Sequence, residues 1–101
     1  MSEWVEEGSK NEGQQCVALF KALANEERMQ IMILLHQNGE MFAQDIQKNF
    51  YLEQSTTSHH LNILRKSGFA KIRKEGRKIF YSLEYDRLKQ VDNLFRQIFF
   101  G

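Results

Sequence analysis

Proline is missing from all 101 residues, so no position carries the strongest local breaker of helices. Cysteine occurs once, at Cys16, which excludes an intrachain disulfide and any CxxC metal knuckle. No uninterrupted apolar run approaches the roughly 18 residues of a membrane span. The opening MSEWVEEGSKNEG is acidic and has no apolar stretch of the kind a secretory signal needs. A cytoplasmic location is the simplest expectation, with no membrane contact. Catalytic patterns are equally scarce. No carboxylate pair or phosphate-binding glycine loop has supporting context, and Ser58-His59 are nearest neighbours that diverge on a helix rather than face each other. An enzyme is not expected, and no cofactor is implied.

What is present is one domain's worth of chain with a lopsided charge. At 101 residues a second independent domain would leave both halves near the limit of self-sufficient folding. The formal net charge is +1. That sum hides Glu3, Glu6, Glu7 and Glu12 against Lys10 in residues 1–13, a net −3. It also hides Arg65, Lys66, Lys71, Arg73, Lys74, Arg77 and Lys78 against Glu75 in residues 65–78, a net +6. A local field of that sign matters more to a polyanion than the global sum. Residues 1–13 read as an acidic, flexible arm, with Trp4 and Val5 able to dock on the body or on a second copy. Residues 14–101 read as the folded domain.

Spacing divides that domain into five helices and a hairpin. The first helix is predicted at about Gln14–Leu23, with Val17, Phe20 and Ala24 on one stripe beside Cys16, Leu19 and Leu23. Asn25 can cap the second, Glu26–Gln37, whose first turn holds Glu26 and Glu27 where negative charge suits exposed N–H groups. This helix is apolar on nearly every side from Met29 to Leu35, as for a central buried element, and Asn38-Gly39 ends it. A short helix over Phe42–Asn49 should turn Phe42, Ile46 and Phe50 inward. The fourth runs from Gln54 to Lys66, stopping at Ser67-Gly68, with Thr57, Leu61 and Leu64 on its inner face. The period then falls to two over Phe69–Arg73 and Lys78–Leu83, with Lys74-Glu75-Gly76-Arg77 as the turn. Ala70, Ile72, Ile79, Tyr81 and Leu83 are the expected inward rows. Helical spacing returns over Glu84–Phe100. The class is mainly α with a small β-hairpin.

Both terminal helices carry more apolar surface than one small domain needs. Cys16, Val17 and Phe20 on the first, and Leu88, Val91, Leu94, Phe95 and Ile98 on the last, are candidates for a two-fold dimer interface. The plainer alternative is that these helices complete the monomer core. Cys16 would then pack, whereas at an interface it could form an intersubunit disulfide or a reversible oxidation product.

Two helices joined by a short connection and followed by a basic hairpin make a reading device for duplex DNA. The helix Gln54–Lys66 can enter a major groove, where Gln54 and Asn62 each present a paired donor and acceptor. Ser55, Thr56 and Ser58 can hold phosphates or single base atoms, and His59 can donate to either. Arg65 and Lys66, with Arg73, Lys74, Arg77 and Lys78 of the hairpin, supply cations for the backbone. RNA is a poorer fit, because no aromatic stacking platform is evident and A-form grooves accept such a helix badly. A protein-interaction module of the same shape, reading no operator itself, is the rival.

The stretches FKALANEERMQIMILLHQNGE and EQSTTSHHLNILRKSGFAKIRKEGRKIFYSL, with the short helix between them, resemble the ArsR/SmtB family of bacterial and archaeal repressors. STTSHHLNILRKSG is the specific part, and the similarity spans about Phe20–Leu83. The resemblance implies a winged helix-turn-helix homodimer that binds an imperfect palindromic operator, blocks transcription and releases on a signal. That signal would be a small-molecule inducer or a protein partner. It places Gln54, Ser55, Thr57, Ser58 and His59 in the recognition helix and Arg73–Lys78 in the wing, although Thr57 falls on the inner face. Departures are Glu53 where the family commonly has a serine cap, Tyr51 where a turn glycine is usual, and Thr57 where a larger aliphatic residue is common. Relatives that sense metal use Cys-x-Cys before the recognition helix, or Asp, His and Glu pairs on the C-terminal helices. Here residues 40–45 hold no thiolate, and the last helix has Glu84, Asp86 and Asp92 but no histidine. No metal site is expected. His36 reads as a capping or core-edge histidine, with His60 turned toward the body and His59 outward.

Overall fold

The computed structural model describes residues 7–50 and 53–101, with the backbone alone for residues 7–12. Trp4, Val5 and Tyr51 lie outside the described residues. Helix α1 (Glu7–Leu23) starts at Glu7, not at Gln14. The added turns are polar and contain Gly8 and Gly13, so no apolar period announced them. Helix α2 (Glu26–Asn38) opens on Asn25, whose side chain accepts from the Arg28 N–H at 2.9 Å. Strand β1 (Met41–Phe42) was not anticipated. It pairs with a strand far along the chain, in register Met41↔Tyr81 and Phe42↔Phe80, and two residues are too few to show alternation. Helix α3 is correspondingly shorter, Ala43–Lys48, and Phe42 lies outside it. Helix α4 (Gln54–Lys66) matches its expected bounds.

Strands β2 (Ala70–Glu75) and β3 (Lys78–Leu83) form the hairpin, and β1 completes a three-stranded antiparallel sheet in the order β1-β3-β2. The register Glu75↔Lys78 leaves only Gly76 and Arg77 in the turn, two residues rather than four. Gly76 has φ 62° and, among the described residues, no non-glycine residue has positive φ, the pattern of a II′ turn, whose twist suits a hairpin. Helix α5 (Tyr85–Phe99) closes the fold, and Glu84 caps it through a long contact to the Asp86 N–H.

One core joins Ile31, Met32 and Leu35 of α2, Ile46 of α3, and Leu61 and Leu64 of α4 to Phe69, Ala70, Leu83 and Ala22. The end of α4 locks into it. Gly68 N–H donates to Arg65 O at 3.1 Å and Phe69 N–H to Leu64 O at 2.9 Å, a Schellman close that brings two fully buried side chains together. Gly68 needs its φ of 86°, and a Cβ there would strike the Arg87 side chain.

Three apolar expectations are corrected. Met29 and Ile33 of α2 are exposed, because the domain covers that helix on one side only. Ile72 is exposed too, lying farther along the hairpin than the core reaches. Phe50 and Phe42 are half-buried rather than interior. On the terminal helices, Leu88 and Val91 pack against the chain's own core. Val17 is 53% exposed and Phe99 64%, with Phe20, Phe95 and Ile98 also exposed and Cys16 and Leu94 half-buried. Phe20 and Phe95 stack edge to face at 6.0 Å, and Phe95 meets Phe99 at 4.7 Å. Helix α5 buries none of its residues, so an apolar strip runs along α1 and α5 facing outward.

Thr57 is 2% exposed and its hydroxyl has no hydrogen-bond partner. Leaving a buried hydroxyl unmet costs about 1–3 kcal/mol. Thr57→Val keeps the shape and removes the orphan, so urea unfolding is expected to show a gain of about 1 kcal/mol. A loss of stability would mean that the hydroxyl is served by a partner such as water.

Candidate nucleic-acid interface

Helix α4 has two chemically opposed faces. Thr57, His60, Leu61 and Leu64 are buried, while Gln54, Ser55, Ser58 and His59 are exposed, with Thr56 and Asn62 half-buried. Burial of the first set fixes the outward direction of the second, since residues three and four apart share a face. No side chain caps the helix at Glu53, which is itself exposed. Beside α4 stands the hairpin, and between them runs an open groove of about 630 Å³. Its helix wall is Ser55, Ser58, His59, Asn62 and Arg65, and its hairpin wall is Ile72, Lys74, Ile79 and Tyr81. The exposed Ile72, unexplained by the core, is part of this wall. Arg65 donates to Asn62 Oδ1 at 2.9 Å, so one acceptor of Asn62 is engaged within the helix.

Gln54 is not in this groove. It lines a neighbouring depression of about 280 Å³ with Gln44, Gln47, Lys48 and Phe50, where α3 meets the start of α4. Those two glutamines and the lysine escaped the sequence reading. Their signal was present, as amides spaced three apart on a helix leading into the reading helix. Lys66 also falls elsewhere, in a depression against α1 with Ala18, Lys21 and Arg28.

The hairpin cations, expected to act together, split by face. Cross-strand partners share a face, so Lys74↔Ile79 and Ile72↔Tyr81 look toward α4. Arg73↔Phe80 and Glu75↔Lys78 look away from it. There Arg73 is tied down. It meets Glu40 through Nε and Nη2 at 2.7–3.1 Å, reaches Glu75 at 2.8 Å, and lies 4.6 Å over the Phe80 ring. The hydrogen bond from Arg73 holds the Glu40 carboxyl below its usual range, and the two carboxylates push the Arg73 guanidinium up. Its charge is therefore largely compensated in place. Lys78 sits over the Phe42 ring at 5.5 Å on that same face, and Arg77 occupies the turn.

A polar helix face, a flanking basic hairpin and a short helix leading in from the side form a DNA-reading geometry. The family model for "bacterial regulatory protein, arsR family" matches residues 25–71. An HTH-type transcriptional regulator of Methanocaldococcus jannaschii is 43% identical over 76 residues, which is 75% of this chain and 85% of that protein. The chain belongs to the ArsR family. The transcriptional activator HlyU of Vibrio cholerae is 35% identical over 95 residues, 94% of this chain and 86% of its own. A solution structure from Mycobacterium bovis, titled a homodimeric winged helix-turn-helix DNA-binding domain of a possible ArsR-family regulator, superposes with a TM-score of 0.74. It is 25% identical and covers 95% of this chain and 91% of that one.

The fold of this ArsR protein is the winged helix-turn-helix, with α3 and α4 as the paired helices and β2–β3 as the wing. ArsR proteins are transcriptional regulators, not enzymes. Three carboxylates at the positions where metal-sensing relatives hold ligands are engaged with other groups. Glu40 is bound to Arg73, Asp92 pairs with Arg96 at 3.1 Å, and Glu84 caps α5 and lies 4.0 Å from Lys71. Among the described residues, no three His, Cys, Asp or Glu side chains come together as a metal-holding group. His36, by contrast, joins α2 to α5, its Nδ1 lying 2.8 Å from the Tyr85 hydroxyl.

The split of the wing makes a quantitative expectation. Lys74→Ala and Arg77→Ala should each weaken binding to all duplexes alike and lower the slope of log affinity against log salt by about 1. Arg73→Ala should change that slope much less. Equal slopes for all three variants, in fluorescence titrations across salt, would show that Arg73 leaves its carboxylates to bind DNA.

Proposed function

We propose that the chain is a homodimeric, sequence-specific repressor that occupies an imperfect palindromic operator in double-stranded DNA and releases it on a signal. The observation that carries this is the groove beside α4, where a base-reading face and a cationic hairpin wall stand side by side. In that arrangement Ser55, Ser58 and His59 meet base edges and nearby phosphates, and Gln54 works with Gln44 and Gln47 at the helix start. Lys74, Arg77 and Arg65 hold the sugar–phosphate backbone.

Two copies are needed because a single reading helix covers few base pairs. The outward apolar strip of Val17, Phe20, Phe95, Ile98 and Phe99 is suited to a second copy across a two-fold axis. A closed dimer matches a palindrome, with half-sites about one helical turn apart. Bound over a promoter, it excludes the polymerase. The releasing signal is a small molecule or protein partner that favours a dimer geometry unable to span both half-sites. A cytoplasmic location follows from a chromosomal target.

The test is selection of bound duplex from a random library by the purified chain. The expected product has two-fold symmetry and is preferred over scrambled DNA by at least about a thousandfold at moderate salt. Replacing Ser58 with Ala should relax the preference at one position in each half-site, by about 1 kcal/mol. Phe95→Glu should give monomers in sedimentation and lose the preference with them. A chain that sediments as a dimer yet selects no duplex at low salt would instead be an interaction module.

A further inference from the structure

The main chain leaves two of the last carbonyls of α1 over. Phe20 O accepts from the Ala24 N–H at 2.7 Å and Leu23 O from the Asn25 N–H at 2.8 Å. Lys21 O and Ala22 O are met by one side chain. Arg28 Nε donates to Ala22 O at 2.6 Å and Nη2 to Lys21 O at 3.1 Å. Helix ends leave such carbonyls unmet, and a cation there also faces the negative end of the helix dipole. The remaining arm, Nη1, lies 3.2 Å from His60 Nδ1. His60 belongs to the buried face of α4, directly behind the groups that read DNA. One planar guanidinium thus joins the end of α1, the start of α2 and the back of the recognition helix.

The chemistry of this contact sets a protonation state. Arginine only donates, so His60 Nδ1 must accept, which requires a neutral imidazole with its proton on Nε2. Burial, then the Arg28 charge, holds His60 below the ordinary histidine range. Glu27 opposes this and His59 adds to it. Lys21 of α1 and Lys66 of α4, lining the same depression as Arg28, are further cations on the packed elements. Protonating His60 would set a second cation 3.2 Å from the guanidinium, with no acceptor between them.

Base-edge contacts tolerate only about 0.5 Å and 10–20° of misplacement. Building on the DNA-binding reading above, we propose that Arg28 is the positioning residue of the recognition helix. It sets α4 against the α1–α2 corner through neutral His60, so that protonation of His60 weakens operator binding. The direction is diagnostic. Added positive charge ordinarily tightens DNA binding, whereas here acid loosens the specific complex.

The experiment uses the full chain and the duplex it selects from a random library, with a scrambled duplex beside it, from about pH 8 to about pH 5.5. Arg28→Lys keeps the charge but lacks the fork. It should lose about tenfold in affinity for the selected duplex at neutral pH, with scrambled-duplex binding little changed. His60→Gln offers Arg28 an uncharged acceptor. It should stay within about threefold of wild type at neutral pH and, unlike wild type, show no loss of discrimination on acidification. Wild type and His60→Gln sharing one pH profile would overturn the proposal, as would Arg28→Lys discriminating like wild type. If melts show Arg28→Lys unfolded, the wild-type and His60→Gln comparison decides. A wild-type chain that selects no duplex sinks the DNA reading first, and this inference with it.

Discussion

Leu61 and Leu64 can be buried in only one way. With Thr57 and His60 they form a single buried face on α4, and that face seats against Ile31 and Leu35 of α2 and against Phe69 at the base of the wing. Everything outward on α4 inherits its direction from this packing. Deleting buried aliphatic groups costs about 2–5 kcal/mol each, far more than single surface hydrogen bonds contribute. The core therefore dictates where the reading face points, and polar contacts refine it. The Schellman close at Gly68 extends the same constraint into the hairpin, because the residue that ends the helix also starts the route into β2.

The hairpin follows a different rule. Beyond Ala70 and Leu83 its strands rise clear of the core, so alternation rather than burial distributes the side chains there. Lys74 and Ile72 share a wall with α4, while Arg73 and Lys78 share the opposite wall with Phe80 and Phe42. The back of the wing carries its own carboxylates, Glu40 and Glu75, which compensate Arg73. The basic stretch of net +6 is thereby divided, with Lys74 on the groove wall, Arg77 in the turn, and Arg73 and Lys78 on the far face.

Much of this was legible beforehand. The Asn25 cap, the bounds of α4 and the inward set Thr57, Leu61 and Leu64 came from capping chemistry and from spacing alone. So did the outward turn of His59 and the inward turn of His60. Strand β1 was invisible because its partner lies far along the chain and two residues carry no period. The early start of α1 was hidden by its polarity. Ile72 looked like core by alternation, but alternation says which face a residue is on and not how far the core extends along it.

Local chemistry thus determined the order of the five helices and the hairpin, the two faces of the reading helix and the lack of a cysteine over residues 40–45, since each depends on neighbours within a few positions. Tertiary structure alone decided the rest. It tied Arg73 to Glu40 across 33 positions. It brought Gln44 and Gln47 beside Gln54, and joined Arg28 to His60 across 32. Such pairings follow from how buried faces stack, and no spacing rule along a chain encodes the distance between two side chains that meet only after folding.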